Sequence, residues 1–201
     1  LTALGAYFLS RKDILFKKVI TLAIIFTMYF NGGLIPFFLQ VKRLGMYNSL
    51  WALIIPNAIN TYNLIIMRTA FASIPDSMEE SAKLDGASDY TVLFKIMIPL
   101  ALPTVAVLIL YYAVYHWNAW FNAMIFIQSR EKYPLQLILR EILILNDTNN
   151  MTTDAGDVER FLISETIKYA VIIVATVPVL ALYPFLQKYF VKGVMIGAVK
   201  G

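Results

Sequence analysis

Long apolar stretches separated by short charged segments constrain this chain more than any other feature of its sequence. Charged residues make up only 15% of its 201 residues, against about 25% in a soluble domain. A soluble fold of this length has too little interior to bury so much apolar surface, so lipid must cover part of it. The sequence therefore predicts an all-α, polytopic bundle of transmembrane helices. The five stretches are Leu1–Leu9, Val19–Val41, Leu50–Met67, Leu100–Ile127 and Ile167–Leu186.

Residue types that carry much of enzyme chemistry are scarce in this chain. It has no cysteine and one histidine, His116, which excludes disulfides, thiolate sites and multi-histidine metal sites. No phosphate-binding G-x-x-x-x-G-K-[ST] motif occurs, and no paired acidic residues fall at membrane depth. We therefore predict no catalytic residue, metal site or cofactor here. The net charge of +4 indicates membrane topology rather than affinity for nucleic acid.

Two of the apolar stretches depart from a simple spanning helix. The first, Leu1–Leu9, is too short to cross a bilayer and has no signal-peptide pattern. We expect it to be the end of a helix that continues upstream, with at least one further span before Leu1. The second stretch carries Asn31-Gly32-Gly33 and Pro36 in its middle, and these residues predict a broken or kinked helix.

Basic residues near the ends of spans predict the orientation of the chain. Arg11, Lys12, Lys17 and Lys18 lie within eight residues of one another, which indicates that this segment is cytoplasmic. Alternation then puts residues 68–98 and the tail, about 187–201, in the cytoplasm, and residues 128–165 outside. The run of polar residues 146–150 in the outer segment predicts a turn.

The cytoplasmic segment 68–98 has the pattern of two short helices. Ser73 and Pro75 followed by acidic residues predict a helix start, Gly86 predicts the turn that ends this helix, and a second helix about Ser88–Met97 would end at Pro99. On one face of the first helix lie Met78, Ala82 and Asp85, with Ala87 just past the turn. An amphipathic connector resting on the membrane and a docking element for a partner both fit this pattern.

The spacing within this segment resembles a known motif. Glu80-Ser81-Ala82, three residues, Gly86, nine residues and Ile96-Met97-Ile98-Pro99 resemble the EAA motif of permeases in binding-protein-dependent ABC importers. Ser81 and Ile98 are the two departures, from alanine and leucine. The resemblance implies the type I permease fold and a coupling helix that docks on a separate ATPase. The residues implied in coupling are Glu80, Ser81, Ala82, Asp85, Gly86, Ile96 and Pro99.

Further segments resemble carbohydrate permeases, in the branch of oligo- and polysaccharide permeases related to the second membrane subunit of the maltose system. They include 32–36, 64–68, 116–123, 134–143 and the ending 190–201. The resemblance implies one permease domain over residues 1–201 in the bacterial inner membrane. It also implies as partners a homologous permease subunit, two ATP-binding subunits that hold ATP and Mg²⁺, and a solute-binding protein. In the maltose-type relative the tail contacts the ATPase, which implicates Gly193, Gly197, Lys200 and Gly201.

Aromatic and amide side chains in the third and fourth stretches are candidates for a sugar path, because rings stack on sugar C–H faces and amides bond hydroxyls. An interfacial aromatic belt, or hydrogen bonding between helices, explains the same residues. His116 is interpreted as a structural hydrogen bonder rather than a proton relay. The candidate path residues are Asn57, Asn60, Tyr115, Trp117, Asn118, Trp120 and Asn122. Asn57, Asn60 and Thr61 would share one helix face.

The sequence thus predicts a non-catalytic, multi-pass subunit that forms half of a translocation path for a sugar, with an oligosaccharide as the expected substrate. An ion-coupled secondary transporter is the alternative, but such proteins place ionisable groups within spans, and the five stretches have almost none away from their ends. A permease for a non-sugar substrate and a membrane-embedded enzyme are further alternatives. The sequence does not name the sugar.

Overall fold

The computed structural model describes residues 1–151 and 158–198, and every regular element within those residues is helical. Two compact units are present. The first contains Leu1–Phe37, Ile54–Tyr112 and the end of the last helix from Lys188, and the second contains Phe38–Leu53 and Ala113–Gln187. The expectation of an all-α chain is therefore confirmed for the described residues.

Most of the helices are short, and one is very long. In chain order they are α1 (Thr2–Ser10), α2 (Lys17–Tyr29), α3 (Leu34–Arg43), α4 (Trp51–Ile54), α5 (Thr61–Ala72), α6 (Asp76–Leu84), α7 (Asp89–Val92), a π-helical turn (Leu93–Met97), α8 (Ile98–Leu100), α9 (Leu102–Trp117), α10 (Trp120–Phe126), a 3₁₀ turn (Arg130–Lys132), α11 (Leu135–Met151) and α12 (Val158–Ala198).

The first unit is built around the packing of α1 on α5. These helices approach closely because Gly5 lacks a side chain: a Cβ there would lie 3.1 Å from Cδ1 of Leu64. Tyr7 and Phe71 meet edge to face with ring centroids 6.4 Å apart. The same core takes in Ala82 from α6 and Leu93 from the π-helical turn. The segment with the EAA-like spacing is therefore anchored on the α1–α5 pair.

The second unit is held by polar ties as well as by an apolar cluster. The Nε1–H group of Trp117 donates to the Ala175 carbonyl at 2.9 Å. Asn48 has a positive φ of 56°, and its Oδ1 accepts from the backbone N–H groups of Gln128 and Ser129, both at 3.0 Å. These bonds fix the turn after α3 to the segment after α10, because an asparagine tolerates the left-handed conformation that the geometry requires.

Membrane-crossing segments are fewer and more broken than the five apolar stretches. Within the described residues, Leu162–Pro184 is long and apolar enough to cross a bilayer as one helix. The pair α2–α3 and the pair Asp89–Leu100 with α9 pass the same test only together, each across a sharp bend. The break in the second stretch falls at residues 30–33, as Asn31-Gly32-Gly33 predicted. In a bilayer such open backbone must be covered by protein or face a water-filled path.

The third stretch is not one helix, so its predicted polar face is wrong. α4 ends at Ile54 and α5 begins at Thr61, because Pro56 lies between them and cannot continue a helix. Asn57 lies in this connection. Asn60 is the N-cap of α5, and its side chain accepts from the Asn63 N–H at 3.1 Å. Asn57, Asn60 and Thr61 therefore do not share a helix face.

Two further boundaries differ from the predictions. The fourth stretch breaks after Trp117, where the Trp120 N–H donates to the Asn118 carbonyl at 2.9 Å across Ala119, the pattern of an inverse γ-turn. The predicted turn at residues 146–150 is instead the last part of α11. Asn, Asp and Thr lower helix stability by only a few tenths of a kcal/mol each, too little to end a helix that is supported elsewhere.

Candidate functional site

The first arm of the site is α6, whose start differs in detail from the prediction. Pro75 occupies the N-cap position without a side-chain bond. The Ser73 hydroxyl donates to the Ala70 carbonyl at 2.7 Å, so it belongs to the end of α5. Asp76 and Glu79 lie in the first turn of α6 and Lys83 in the last. This charge order complements the helix dipole and supports a short helix that has no N-terminal side-chain cap.

Gly86 forms the elbow after α6. Its φ is +81°, its N–H donates to the Lys83 carbonyl at 3.0 Å, and the Ala87 N–H donates to the Ala82 carbonyl at 3.0 Å. These two bonds together form a Schellman motif, which requires a left-handed residue at this position. The turn predicted at Gly86 is confirmed, and its physical basis is the freedom of glycine at positive φ.

The second arm begins at Ser88, whose hydroxyl accepts from the Thr91 N–H at 3.3 Å as an N-cap. The helical run ends at Leu100, one residue beyond the predicted end at Pro99. Pro99 has no N–H group, so the carbonyl of Lys95, four residues earlier, lacks its usual helical partner. Lys95 lies in the wider π-helical turn that precedes Pro99. The run then meets α9 at an angle of 89°.

The motif residues lie on different faces of this elbow. Ala82 is 9% exposed and packs into the core of the first unit, so its side chain does not lie on the outer surface of α6. Ile96 is also packed against that core. Glu80, Ser81, Asp85, Gly86 and Pro99 are exposed. Sequence reasoning missed three exposed apolar side chains on the same elbow, Leu84 (89%), Tyr90 (70%) and Phe94 (58%).

An ionic cluster joins the elbow to the segment between α1 and α2. Arg11 places one guanidinium nitrogen 2.6 Å from Asp89 and the other 2.7 Å from Asp13, although Arg11 and Asp89 are far apart in sequence. Lys12 pairs with Asp76. Arg11, which the sequence assigned to topology alone, therefore also holds the second arm of the elbow, and Lys12 adds an exposed ion pair to the first arm.

Glu79 and Lys83 complete the ionic cluster from within α6. Lys83 Nζ lies 2.8 Å from Glu79 and 3.3 Å from Asp89, so it links the two arms directly. The Tyr7 hydroxyl donates to Glu79 at 3.0 Å. Beside this cluster lies a cavity of about 480 Å³, with Ser10, Phe71 and Met97 also in its wall. Because Glu79 and Arg11 are each about four-fifths buried, their contacts are less screened than surface ion pairs.

The ionic cluster shifts the pKa values of Asp13, Asp89 and Lys83 in the directions that favour their charged forms. The hydrogen bond from Arg11 lowers the pKa of Asp13 from 3.8 to about 2. Burial acts to raise the pKa of Asp89, but hydrogen bonds from Arg11 and Lys83 outweigh it, and the net shift is downward. The hydrogen bond to Glu79 raises the pKa of Lys83.

We expect the attachment of the elbow to be insensitive to pH near neutrality. A carboxyl group whose pKa is lower in the folded state stabilises that state at any pH above its ordinary pKa of about 4. This stabilisation is lost as the pH falls toward 2. The raised pKa of Lys83 stabilises the folded state at any pH below the ordinary lysine pKa of about 10.4, and this stabilisation is lost only at more alkaline pH. Amide exchange of residues 76–92, corrected for intrinsic rates, should thus be constant from about pH 5 to 8 and faster near pH 3. A midpoint between pH 6 and 7 would contradict this account.

The candidate path residues of the first unit have structural partners. Asn60 caps α5, and its backbone N–H donates to the Tyr112 hydroxyl at 2.9 Å. The same hydroxyl lies 2.7 Å from Oγ1 of Thr2, so Tyr112 links α9 to α1 and α5. Asn57 is half-buried. For Asn60, these contacts favour a structural role at the start of α5.

Two candidate path residues of the second unit donate hydrogen bonds to backbone carbonyl groups, and the other three are at least partly exposed. Trp117 is tied to α12 through its indole N–H, and Asn118 donates from its side chain to the Val114 carbonyl at 3.0 Å. The ring of Tyr115 is 44% exposed and meets His116 edge to face. Asn122 is half-buried. Trp120 packs against an apolar cluster of Ala123, Ile127 and Leu137.

The tail residues fall at the limit of what the structure describes. Gly193 and Gly197 lie within α12, while Lys200 and Gly201 lie outside the described residues.

Comparisons with known proteins bear on the whole chain. The profile of a family described as "Binding-protein-dependent transport system inner membrane component" matches residues 3–196. The polygalacturonan/rhamnogalacturonan transport system permease protein YtcP of Bacillus subtilis (strain 168) is 47% identical over 100% of this chain and 70% of its own length. Protein LplC of the same organism is 45% identical over 98% of this chain and 66% of its own. This chain thus spans about two thirds of the length of these relatives.

One solved structure is similar over nearly the whole chain. It is described as a crystal structure of a bacterial ABC transporter involved in the import of the acidic polysaccharide alginate. The TM-score is 0.80 at 38% identity, and the match covers 94% of this chain and 69% of that one.

Proposed function

Because the chain belongs to the family of inner-membrane components of binding-protein-dependent transport systems, we propose that it forms half of the translocation path of an ATP-driven sugar importer. The family resemblance inferred from the EAA-like spacing is confirmed, as is the helical type I permease fold. As a permease subunit the chain is not an enzyme, and ATP is hydrolysed by a separate protein.

The observation that carries this proposal is the elbow at Gly86. Its two arms are fixed to the first unit by Ala82, by Leu93 and by the ionic cluster. Its outer surface leaves acidic and apolar side chains exposed together, Glu80, Asp85, Leu84 and Tyr90 among them. An amphipathic surface on a firmly held support suits docking on a partner protein. In this proposal that partner is the ATPase, and Ala82 and Ile96 support the docking residues from the inside.

The partners of the chain follow from the family in general terms: another permease subunit, an ATPase and a solute-binding protein. We propose two ATP-binding subunits, which hold ATP and Mg²⁺, and a homologous second permease. Gly193, Gly197, Lys200 and Gly201 at the end of the chain are proposed as a second contact with the ATPase. Residues 68–98 and 187–201 lie in the cytoplasm and residues 128–165 outside in this arrangement.

The membrane arrangement proposed is multi-pass. The exposed apolar side chains of α2, such as Leu22 (69%), and of Leu162–Pro184, such as Leu180 (63%), need a cover of lipid or of partner helices. Only 6% of the apolar window in Leu162–Pro184 is buried within the chain. A helix so little covered by its own chain suits a site at the lipid or at a subunit interface.

The substrate class proposed is an oligosaccharide. It is supported by the names of relatives that transport polygalacturonan and rhamnogalacturonan or alginate. Tyr115, Trp120 and Asn122 are retained as path residues in this proposal, together with Asn57 and Asn118. For Asn60 and Trp117 the contacts described above favour structural roles, and the proposal does not depend on them.

The test is uptake by vesicles that contain the full-length protein within its complex. Labelled oligosaccharide is expected to enter only when ATP and the binding protein are both supplied, because the family is that of binding-protein-dependent transport systems and the proposed energy source is ATP. A matched sample receives an ion gradient and a non-hydrolysable ATP analogue. Uptake in that sample would identify an ion-coupled secondary transporter and overturn the proposal.

A further inference from the structure

An arginine in the second unit lies in an unusual setting. The guanidinium carbon of Arg140, on α11, lies 3.5 Å from the centre of the Trp120 ring, on α10. Its NH1 nitrogen is buried and makes no hydrogen bond within the described residues. Trp120 is itself held by the apolar cluster of Ala123, Ile127 and Leu137. The arginine therefore lies on a fixed ring with one charged nitrogen unpaired.

Stacking accounts for the position of Arg140 but not for its unpaired nitrogen. A guanidinium stacks on an aromatic ring through its flat face, and its N–H groups point outward in its own plane. Those N–H groups still need acceptors, because a buried donor without a partner destabilises the protein, and a charged donor does so more strongly. The unpaired group marks a place that lacks an acceptor.

The nearest acid in the sequence does not supply that acceptor. Glu141, the residue next to Arg140, forms an ion pair with Arg130 instead: its carboxylate lies 3.4 Å from the guanidinium of Arg130. The acceptor that would complete Arg140 is therefore sought outside the described residues. A carboxylate suits a guanidinium best, because its two oxygens match two N–H groups of the fork.

The surroundings of Arg140 suit a sugar that carries such a carboxylate. Phe121 meets Trp120 edge to face, with ring centroids 5.5 Å apart, and its ring is 42% exposed. An exposed ring beside a cation offers a stacking surface for sugar C–H groups next to a binding point for the acid. α11 also belongs to the segment 128–165 that the proposed topology places outside, where substrate arrives.

We propose that Arg140, held over Trp120, binds the carboxylate of an acidic sugar unit and makes this permease selective for uronate-containing oligosaccharides. This inference rests on the proposed function and adds the substrate class and the residue that selects it. Arg140 acts here as a specificity-determining residue, and Trp120 as the residue that positions it.

The experiment compares two forms of one oligomer. Trigalacturonate carries the carboxylates, and its fully methyl-esterified form has the same backbone without charge. Uptake by the complete transporter is measured for wild type, Arg140→Gln and Arg140→Lys. Arg130→Gln is the matched control, because Arg130 is another arginine of the same segment but its side chain is 76% exposed. The binding protein is the same in every sample, so its own preference cancels in each ratio of variant to wild type.

We expect Arg140→Gln to lower the uptake of trigalacturonate relative to wild type about tenfold, the effect of losing a charge-assisted hydrogen bond. Uptake of the ester should be unchanged. Arg140→Lys should retain part of the acid uptake, because lysine keeps the charge but lacks the fork. Arg130→Gln should leave both oligomers unaffected. Equilibrium binding of trigalacturonate to the purified complex without binding protein should follow the same order.

Two outcomes would overturn the inference alone. Equal loss of both oligomers in Arg140→Gln would mean that Arg140 only holds α10 and α11 together, and unchanged uptake and binding of trigalacturonate would mean that it does not meet the substrate. If the wild-type complex imported neither oligomer with ATP, the proposed substrate class would be wrong as well. The failure of the inference and that of the proposed function are thus distinguishable.

Discussion

Replacing Gly86 with valine is expected to uncouple ATP hydrolysis from uptake while the protein still inserts into the membrane. Gly86 has a φ of +81°, and a Cβ at this position meets no atom within 4 Å. The added Cβ therefore has free space, and the main expected effect comes from backbone conformation. An L-residue in the left-handed region costs about 1–2 kcal/mol, and a β-branched residue is among the least tolerant.

The expected consequence is a change in the angle between the arms of the elbow. Relief of the strain moves the backbone of the substituted residue out of the left-handed region, which breaks the bonds to the Lys83 and Ala82 carbonyls. A penalty of about 1.4 kcal/mol shifts the balance between the native and altered elbow about tenfold. We expect uptake to fall by up to about that factor, with the amount of membrane-inserted protein unchanged.

Two control variants separate strain from position. Gly86→Asn should retain most of the uptake, because asparagine tolerates the left-handed conformation. Gly45→Val introduces the same strain elsewhere: Gly45 has a φ of +71°, also meets no atom within 4 Å, and closes α3 with the same pair of backbone bonds. The measurements are uptake and substrate-stimulated ATPase activity in vesicles. Equal losses in Gly45→Val and Gly86→Val, or no loss in Gly86→Val, would rule out a specific coupling role for this elbow.

Replacing Arg11 with alanine is expected to loosen the elbow from the first unit and to weaken coupling. Arg11 is 19% exposed and contacts Asp13 and Asp89 at hydrogen-bonding distance, with Glu79 3.9 Å away. A hydrogen bond between charged groups contributes about 1.5–3 kcal/mol when shielded from water. Asp89 is 56% exposed, and screening lowers the expected loss to about 1–2 kcal/mol.

Hydrogen exchange gives a direct readout of this loosening. Residues 76–92 should exchange about tenfold faster in Arg11→Ala than in wild type, while α5 should be unaffected. Lys12→Ala is the matched control: Lys12 is the next residue and carries the same charge, but it is 80% exposed and pairs with Asp76, which is itself 57% exposed. We expect little change in that variant, because exposed ion pairs contribute little.

A double-mutant cycle tests whether Arg11 acts through Asp89. The effects of Arg11→Ala and Asp89→Asn should be less than additive, because either change removes the same contact. Additive effects would mean that Arg11 stabilises the protein through another contact, such as Asp13. A loss of uptake without faster exchange in residues 76–92 would contradict the idea that Arg11 holds the elbow in place.

Features set by neighbouring residues could be predicted from the sequence. The helical class followed from the apolar stretches, because a chain in lipid must satisfy its backbone internally. The break at residues 30–33 and the elbow at Gly86 followed from glycine and proline, whose backbone preferences are local. The motif spacing indicated the family before any contact was known, and the family is confirmed.

Local patterns misled where packing or hydrogen bonding decides. Residues 146–150 look like a turn but continue α11. Ala82 looked like a docking surface because it is small, yet it is buried in the core of the first unit. In each case the side-chain type was compatible with two environments, and the neighbours in space selected one.

The order of residues along the chain was enough to identify a helical permease with a two-armed elbow at Gly86. The support on which that elbow rests became visible only in the packing of the helices. The contact of Arg11 with Asp89, the link through Lys83 and the stacking of Arg140 on Trp120 join residues from different helices. Periodicity and spacing report the conformation of neighbouring residues, whereas such contacts depend on how the helices pack.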